Sequence, residues 1–162
     1  MSDYKKNKME YLKRKNRRNN LIKELSNIVT VTNESLLEIE ENDLFCKEVF
    51  KMLTTLKSKA SLKEQNYKEN IMSSVKLLND IFEKNVISND VGRVFFFRDA
   101  EIEAVELNIN ELYSKLEEIL DITKFTIGYG DFILVADDLK FGICIERTEY
   151  QYEFYSWGVT EK

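Results

Sequence analysis

The hydrophobic positions along the chain change period once. Up to about residue 91 they recur at the i, i+4 and i+7 or i+8 spacing of amphipathic helices, and beyond Gly92 they form the short blocks and alternations of strands. Residues 1–91 hold no glycine and no proline, so nothing there interrupts a helix, and all five glycines lie from Gly92 onward. A first helix is predicted from Asp3 to Ile28, with Tyr4, Tyr11 and Leu12 at one end and Leu21, Ile22, Leu25 and Ile28 at the other. Between them KRKNRRNN has no apolar side chain, which predicts a solvated middle with two packed ends, or first turns that fray. The β-branched VTVTN then breaks the helix, and Asn33 is the expected N-cap of a second one, itself breaking at Asn42-Asp43. Its stripe is Phe45, Val49, Met52, Leu53 and Leu56. Ser61 with Glu64 reads as a capping box for a third helix, with stripe Tyr67, Ile71, Val75, Leu78 and Phe82. The second and third helices are expected to pack as an antiparallel pair.

After Gly92 the first block, Arg93 to Phe97, is apolar on both faces, so it should be an interior strand covered on both sides. EIEAVEL at 101–107 is its candidate hairpin partner, and Asn108 with Glu111 opens a short helix carrying Leu112, Leu116, Ile119 and Leu120. FILVA and FGICI flank the polar connection Asp137-Asp138-Leu139-Lys140 as a hairpin. From 149 to 157 the side chains alternate, Glu149, Gln151, Glu153, Tyr155 and Trp157 on one face and Tyr150, Tyr152 and Phe154 on the other. The expected class is α+β: a basic helix or arm over 1–30, then one domain over 31–162. In that domain a helical layer at 33–84 covers one face of an antiparallel sheet built from 92–159.

Composition narrows the chemistry. With 162 residues and 43% apolar content the chain can bury an ordinary core. It contains no histidine, which removes Ser-His and Cys-His catalysis and the commonest transition-metal ligand. Cys46 and Cys144 lack CxxC spacing, no apolar N-terminal segment resembles a signal peptide, and no run approaches a membrane span, so a cytoplasmic, reduced protein is expected. Cys144, in an apolar run, reads as a small buried hydrophobe. No cofactor is implied.

Charge is distributed unevenly. Residues 1–24 carry nine Lys or Arg against three acids, whereas residues 99–162 carry five against fifteen. Lys13, Arg14, Lys15, Arg17 and Arg18 are candidate nucleic-acid contacts, although a solvated helix face is the plainer account of such a run and the acidic half would repel a phosphate backbone. On the acidic side, Asp137, Asp138, Glu149 and Glu153 with Tyr155 and Trp157 make a candidate docking surface for a basic protein, because aromatics anchor and charges steer. The plainer alternative is that the rings are buried under the helices. Asp131, Asp138 with Lys140, and Glu146 loosely match the acid-acid-lysine set of a metal-dependent nuclease, but Arg147-Thr148 follows Glu146 where that pattern needs x-Lys, and surface carboxylates at a hairpin explain the same residues.

The segment DFILVADDLKFGICIERTEYQYEFYSWG, with Asp-Asp following an apolar strand and a further apolar strand ending in Glu, resembles small bacterial immunity proteins that neutralise polymorphic or contact-dependent toxins. The resemblance covers roughly the last sixty residues and leaves the helical first half unexplained. It implies a non-enzymatic cytoplasmic inhibitor that binds one cognate toxin through acidic and aromatic residues. Phage-encoded inhibitors of bacterial defence share this composition.

Overall fold

A computed structural model describes residues 2–161. The fold is α+β, with helices dominating the first half and a six-stranded antiparallel sheet the second. In chain order the elements are α1 (Asp3–Ser26), α2 (Ile39–Leu53), β1 (Ala60–Leu62), α3 (Tyr67–Lys84), β2 (Asn85–Val86), β3 (Val91–Arg98) and β4 (Glu101–Asn108). They continue with α4 (Ile109–Ser114), α5 (Leu116–Thr123), β5 (Phe132–Val135), β6 (Gly142–Arg147), β7 (Tyr152–Trp157) and β8 (Thr160–Glu161). The large sheet has the order β1-β7-β6-β5-β3-β4, and β2 pairs with β8 apart from it.

β3 lies inside the sheet between β4 and β5, as its two apolar faces require. Val94 and Phe96 point to one side and Phe95 to the other, all three fully buried. The larger core gathers α3, α4, α5 and the C-terminal turns of α1 over the first face, around Leu25, Leu78, Leu112, Leu120, Phe132, Leu134 and Ile145. The smaller core lies under α2 on the opposite face, where Cys46 and Val49 meet Phe95, Ala104, Ile133 and Cys144. Rings of Phe45 and Phe50 meet Phe95 edge-on at 6.2 and 5.8 Å.

This arrangement corrects the expectation of one helical layer: α2 and α3 are on opposite faces of the sheet and do not form a pair. The cause is the sheet itself. Its central strands are apolar on both sides, and each side needs a lid.

Other boundaries moved for local reasons. Asn33 belongs to a short 3-10 turn, Asn33–Ser35, capped by Thr32, and α2 starts at Ile39. Ser61 caps nothing; it sits in β1 with its hydroxyl on Glu153, while Asn66 caps α3 by accepting from the Glu69 N–H at 3.0 Å. The predicted break at Asn42-Asp43 is absent. Asn42 is fully buried inside α2, where its amide accepts from the Ala104 N–H at 2.9 Å and donates to the Ile102 carbonyl at 2.8 Å, satisfying the outer edge of β4. Asn108 caps α4 as the sequence indicates, accepting from the Glu111 N–H at 3.0 Å.

Candidate functional site

Six of the eight residues in the basic run of α1 are exposed, as a solvated middle requires, but Arg14 and Arg18 are turned inward. Three of its arginines lie against the acids of β4, one helical turn after another. Arg18, 8% exposed, donates from Nε to Glu103 Oε2 at 2.8 Å, and Arg14 donates from Nε to Glu103 Oε1 at 2.9 Å. Arg14 also forks onto Asp43 of α2 at 2.7 and 2.9 Å, and Arg17 pairs with Glu101 at 2.5 and 2.8 Å. The Arg14 guanidinium holds the Asp43 carboxyl below its ordinary range. Lys13 lies near Glu10 and Lys15 over the ring of Tyr11, both within α1. Of the five candidate nucleic-acid contacts, the three arginines are therefore occupied by carboxylates that a phosphate would have to displace. The first turns of α1 make no buried contact: every residue from Ser2 to Lys13 is exposed.

The candidate acidic and aromatic surface divides into three places. Asp137, Asp138 and Trp157 are at the β5–β6 turn, where Arg93 Nε donates to Asp137 at 2.5 Å and Asp138 accepts from the Lys140 N–H at 3.0 Å. Trp157 is half-buried: its indole N–H donates to the Leu139 carbonyl at 2.8 Å, and its ring covers Gly142, where an added Cβ would lie 2.1 Å from the ring. Glu149 is at the opposite end of the sheet in the β6–β7 turn, off the strand that was expected to carry it. Glu153 and Tyr155 lie between, on the α2 side of β7.

The three carboxylates of the nuclease alternative do not meet. Asp131 and Glu146 are neighbours at one end of the β5–β6 hairpin, and Asp138 is in the turn at the other. Among the described residues no group of three His, Cys, Asp or Glu is arranged to hold a metal ion.

What the fold does bring together was only partly visible in the alternation. Glu146 and Glu153 are directly opposed on β6 and β7, and Asp131 precedes β5 at the same level, so three acids run side by side across the α2-side face. Glu153 is held by the hydroxyls of Ser58 and Ser61 and by the Gln151 amide, which lower its pKa. Asp131 is partly buried and accepts from the Arg147 N–H at 2.8 Å; burial, and then the charge of Glu146, push its pKa up. The Tyr155 hydroxyl is pushed up by burial and by the same two glutamates. The sequence signal for Glu153 and Tyr155 was the period of two. Asp131 and Glu146 could join them only once the strand register was known.

A family model described as YxiF protein matches residues 21–157. The chain belongs to the YxiF family. The YxiF match takes in every strand of the main sheet and starts after the basic run of α1. No curated protein and no solved structure matches the chain. Among the described residues no helix is long and apolar enough to cross a membrane. Neither thiol is disposed to react: burial pushes Cys46 up to about 12 and Cys144 well above its usual value.

Proposed function

We propose that this YxiF-family protein is a non-enzymatic inhibitor that binds a basic protein, most specifically a cognate toxin in the manner of an immunity protein. The acidic row Asp131, Glu146 and Glu153, with Tyr155 beside it, is the surface assigned to that partner. One observation carries the reading. Glu146 faces Glu153 directly across two paired strands, and among the described residues neither has an ion-pair partner, an arrangement of like charges that costs sheet stability. A cationic partner relieves that repulsion on binding, and half-buried Tyr155 supplies the apolar contact in the same patch. Three further acids of this half are matched internally, Glu101 and Glu103 by α1 and Asp137 by Arg93. The surface is thus smaller than the sequence indicated, and Trp157, committed to Gly142, serves as its support.

The test is co-expression with the product of the neighbouring gene, followed by association kinetics on the purified pair. Glu146→Lys with Glu153→Lys should slow association at least tenfold at low salt, with the difference shrinking as salt rises. Absence of any complex, or a complex indifferent to both reversals, rejects the reading.

A further inference from the structure

A cleft of about 580 Å³ opens between the N-terminus of α3, the 3-10 turn Phe125–Ile127 with Gly128, and the β6–β7 turn, on the sheet face opposite the acidic row. Arg147 and Tyr152 form its floor as cross-strand partners on β6 and β7. Two features of that floor are left incomplete by the protein. Tyr152 is 2% exposed, and its hydroxyl is the one buried side-chain polar atom among the described residues without a hydrogen-bond partner. Of the groups that act on it beyond burial, Arg147 and Tyr67 line the cleft and Asp131 lies outside it. Arg147 itself has no hydrogen-bond or ion-pair partner for its guanidinium among the described residues, whereas the other five arginines all bond carboxylates or carbonyls.

The surroundings match a ring that carries an anion. Tyr67 and Tyr150, 57% and 74% exposed as residues, flank the opening. Gly128, at φ +79°, lets the backbone pass where a Cβ would come 3.3 Å from the Arg147 guanidinium and 3.7 Å from the Tyr67 ring. The first-turn N–H groups of Tyr67 and Lys68 on the 18-residue α3 have no acceptor among the described residues and point their partial positive charge the same way. Of the nearby acids, Glu64, which accepts from the Ser73 hydroxyl, and Glu149 line the cleft, and Glu69 accepts from the Gln65 N–H, so Arg147 and the α3 N-terminus have to outweigh these carboxylates for an anion to bind.

We propose that this cleft binds a small planar ligand bearing one anionic group, of the size of a nucleoside monophosphate, with the anion on Arg147 and the α3 N-terminus, the Tyr152 hydroxyl donating to it, and the ring between Tyr67 and Tyr150. The cleft volume falls in the ordinary range of small-ligand sites. The site lies on the sheet face opposite the acidic row assigned to a protein partner, and shares with it the backbone of Arg147, which donates to Asp131.

Calorimetric titration of the full chain with adenosine 5′-monophosphate, uridine 5′-monophosphate and phenyl phosphate, with adenosine and inorganic phosphate as separated halves, tests this. At least one ring-bearing phosphate should bind with a submillimolar Kd, tenfold or more tighter than either half. Arg147→Gln should weaken it at least tenfold, and Glu149→Gln should strengthen it. Tyr152→Phe separates ligand binding from architecture: it should weaken the ligand while leaving the Tm of the free protein unchanged or higher, because it removes an unpartnered buried hydroxyl. No binding by any of the three, binding no tighter than that of inorganic phosphate, or a Tyr152→Phe variant that loses Tm but keeps its affinity overturns the proposal.

Discussion

Glu103 illustrates how much one side chain can hold when two cations converge on it. It is 2% exposed, sits on β4 and receives Arg14 and Arg18 from α1. A buried carboxylate is tolerable only while so paired, and either guanidinium deprived of it loses a near-ideal acceptor. Glu103→Ala is expected to cost about 3–5 kcal/mol in urea unfolding, the range for breaking a buried ion pair. Arg17→Ala, which removes a pair at the solvent edge, should cost less than about 1 kcal/mol. Asp131 is the opposite case, because its native environment disfavours its charge. A raised native pKa means that the folded protein holds the proton more tightly than the unfolded chain. Its contribution therefore falls as pH rises through the window between the ordinary 3.8 and the native value, and is recovered on acidification. Asp131→Asn should accordingly raise stability at pH 7 and delete that acid-side gain, measured by thermal unfolding across pH 3–7. Asp43 and Glu153, both lowered, act in the reverse sense and lose their contribution as pH falls below about 4.

For the helices and strands, the sequence announced most elements and misjudged their neighbours. The core stripe of α3 was readable because Leu78 and Phe82 recur at i and i+4, and both are buried, with Phe82 also against the Tyr113 ring at 5.5 Å. Phe82→Ala should cost on the order of 3–5 kcal/mol in denaturant melts. The apolar run of β3 correctly indicated an interior strand, yet the same run implies two lids, and the periodicity of α2 and α3 cannot say which helix takes which face. Asn42 misled for a definable reason. A polar residue within an apolar stripe looks like a break until the β4 edge that binds it is known. Trp157 was ambiguous between anchor and core because its fate depends on Gly142, a cross-strand partner fifteen positions earlier. Gly142→Ala should displace the indole, cost at least about 2 kcal/mol and shift the tryptophan emission to the red, and Trp157→Leu in that background should recover part of the loss.

Across the whole molecule, the electrical opposition of the chain's two ends is resolved by contact between them. Composition alone showed a cationic start and an anionic finish, and either could have been assigned to an outside partner. Folding brings Arg14, Arg17 and Arg18 onto Glu101 and Glu103, while Asp131, Glu146 and Glu153 have no ion-pair partner among the described residues. That pairing joins residues 84 to 89 positions apart, beyond any local pattern, which is why the sequence showed the opposed charges but not that they meet. Deleting residues 2–12, all exposed, should change stability by less than about 1 kcal/mol, because no packed side chain is removed.

The edge strand β1 draws its hydrogen bonds from β7, joining Ala60 to Phe154 and Leu62 to Tyr152. A nascent chain therefore cannot complete its sheet until β7 has left the ribosome. Until then α2 and α3 have only part of the surface they are shaped to cover, and refolding must close a loop of some ninety residues before those contacts begin to contribute. With no proline anywhere in the sequence, there is no slow isomerisation to obscure that step. Stopped-flow refolding should therefore show no phase of tens of seconds, and long-range closures such as this one should set the time the protein takes to become itself.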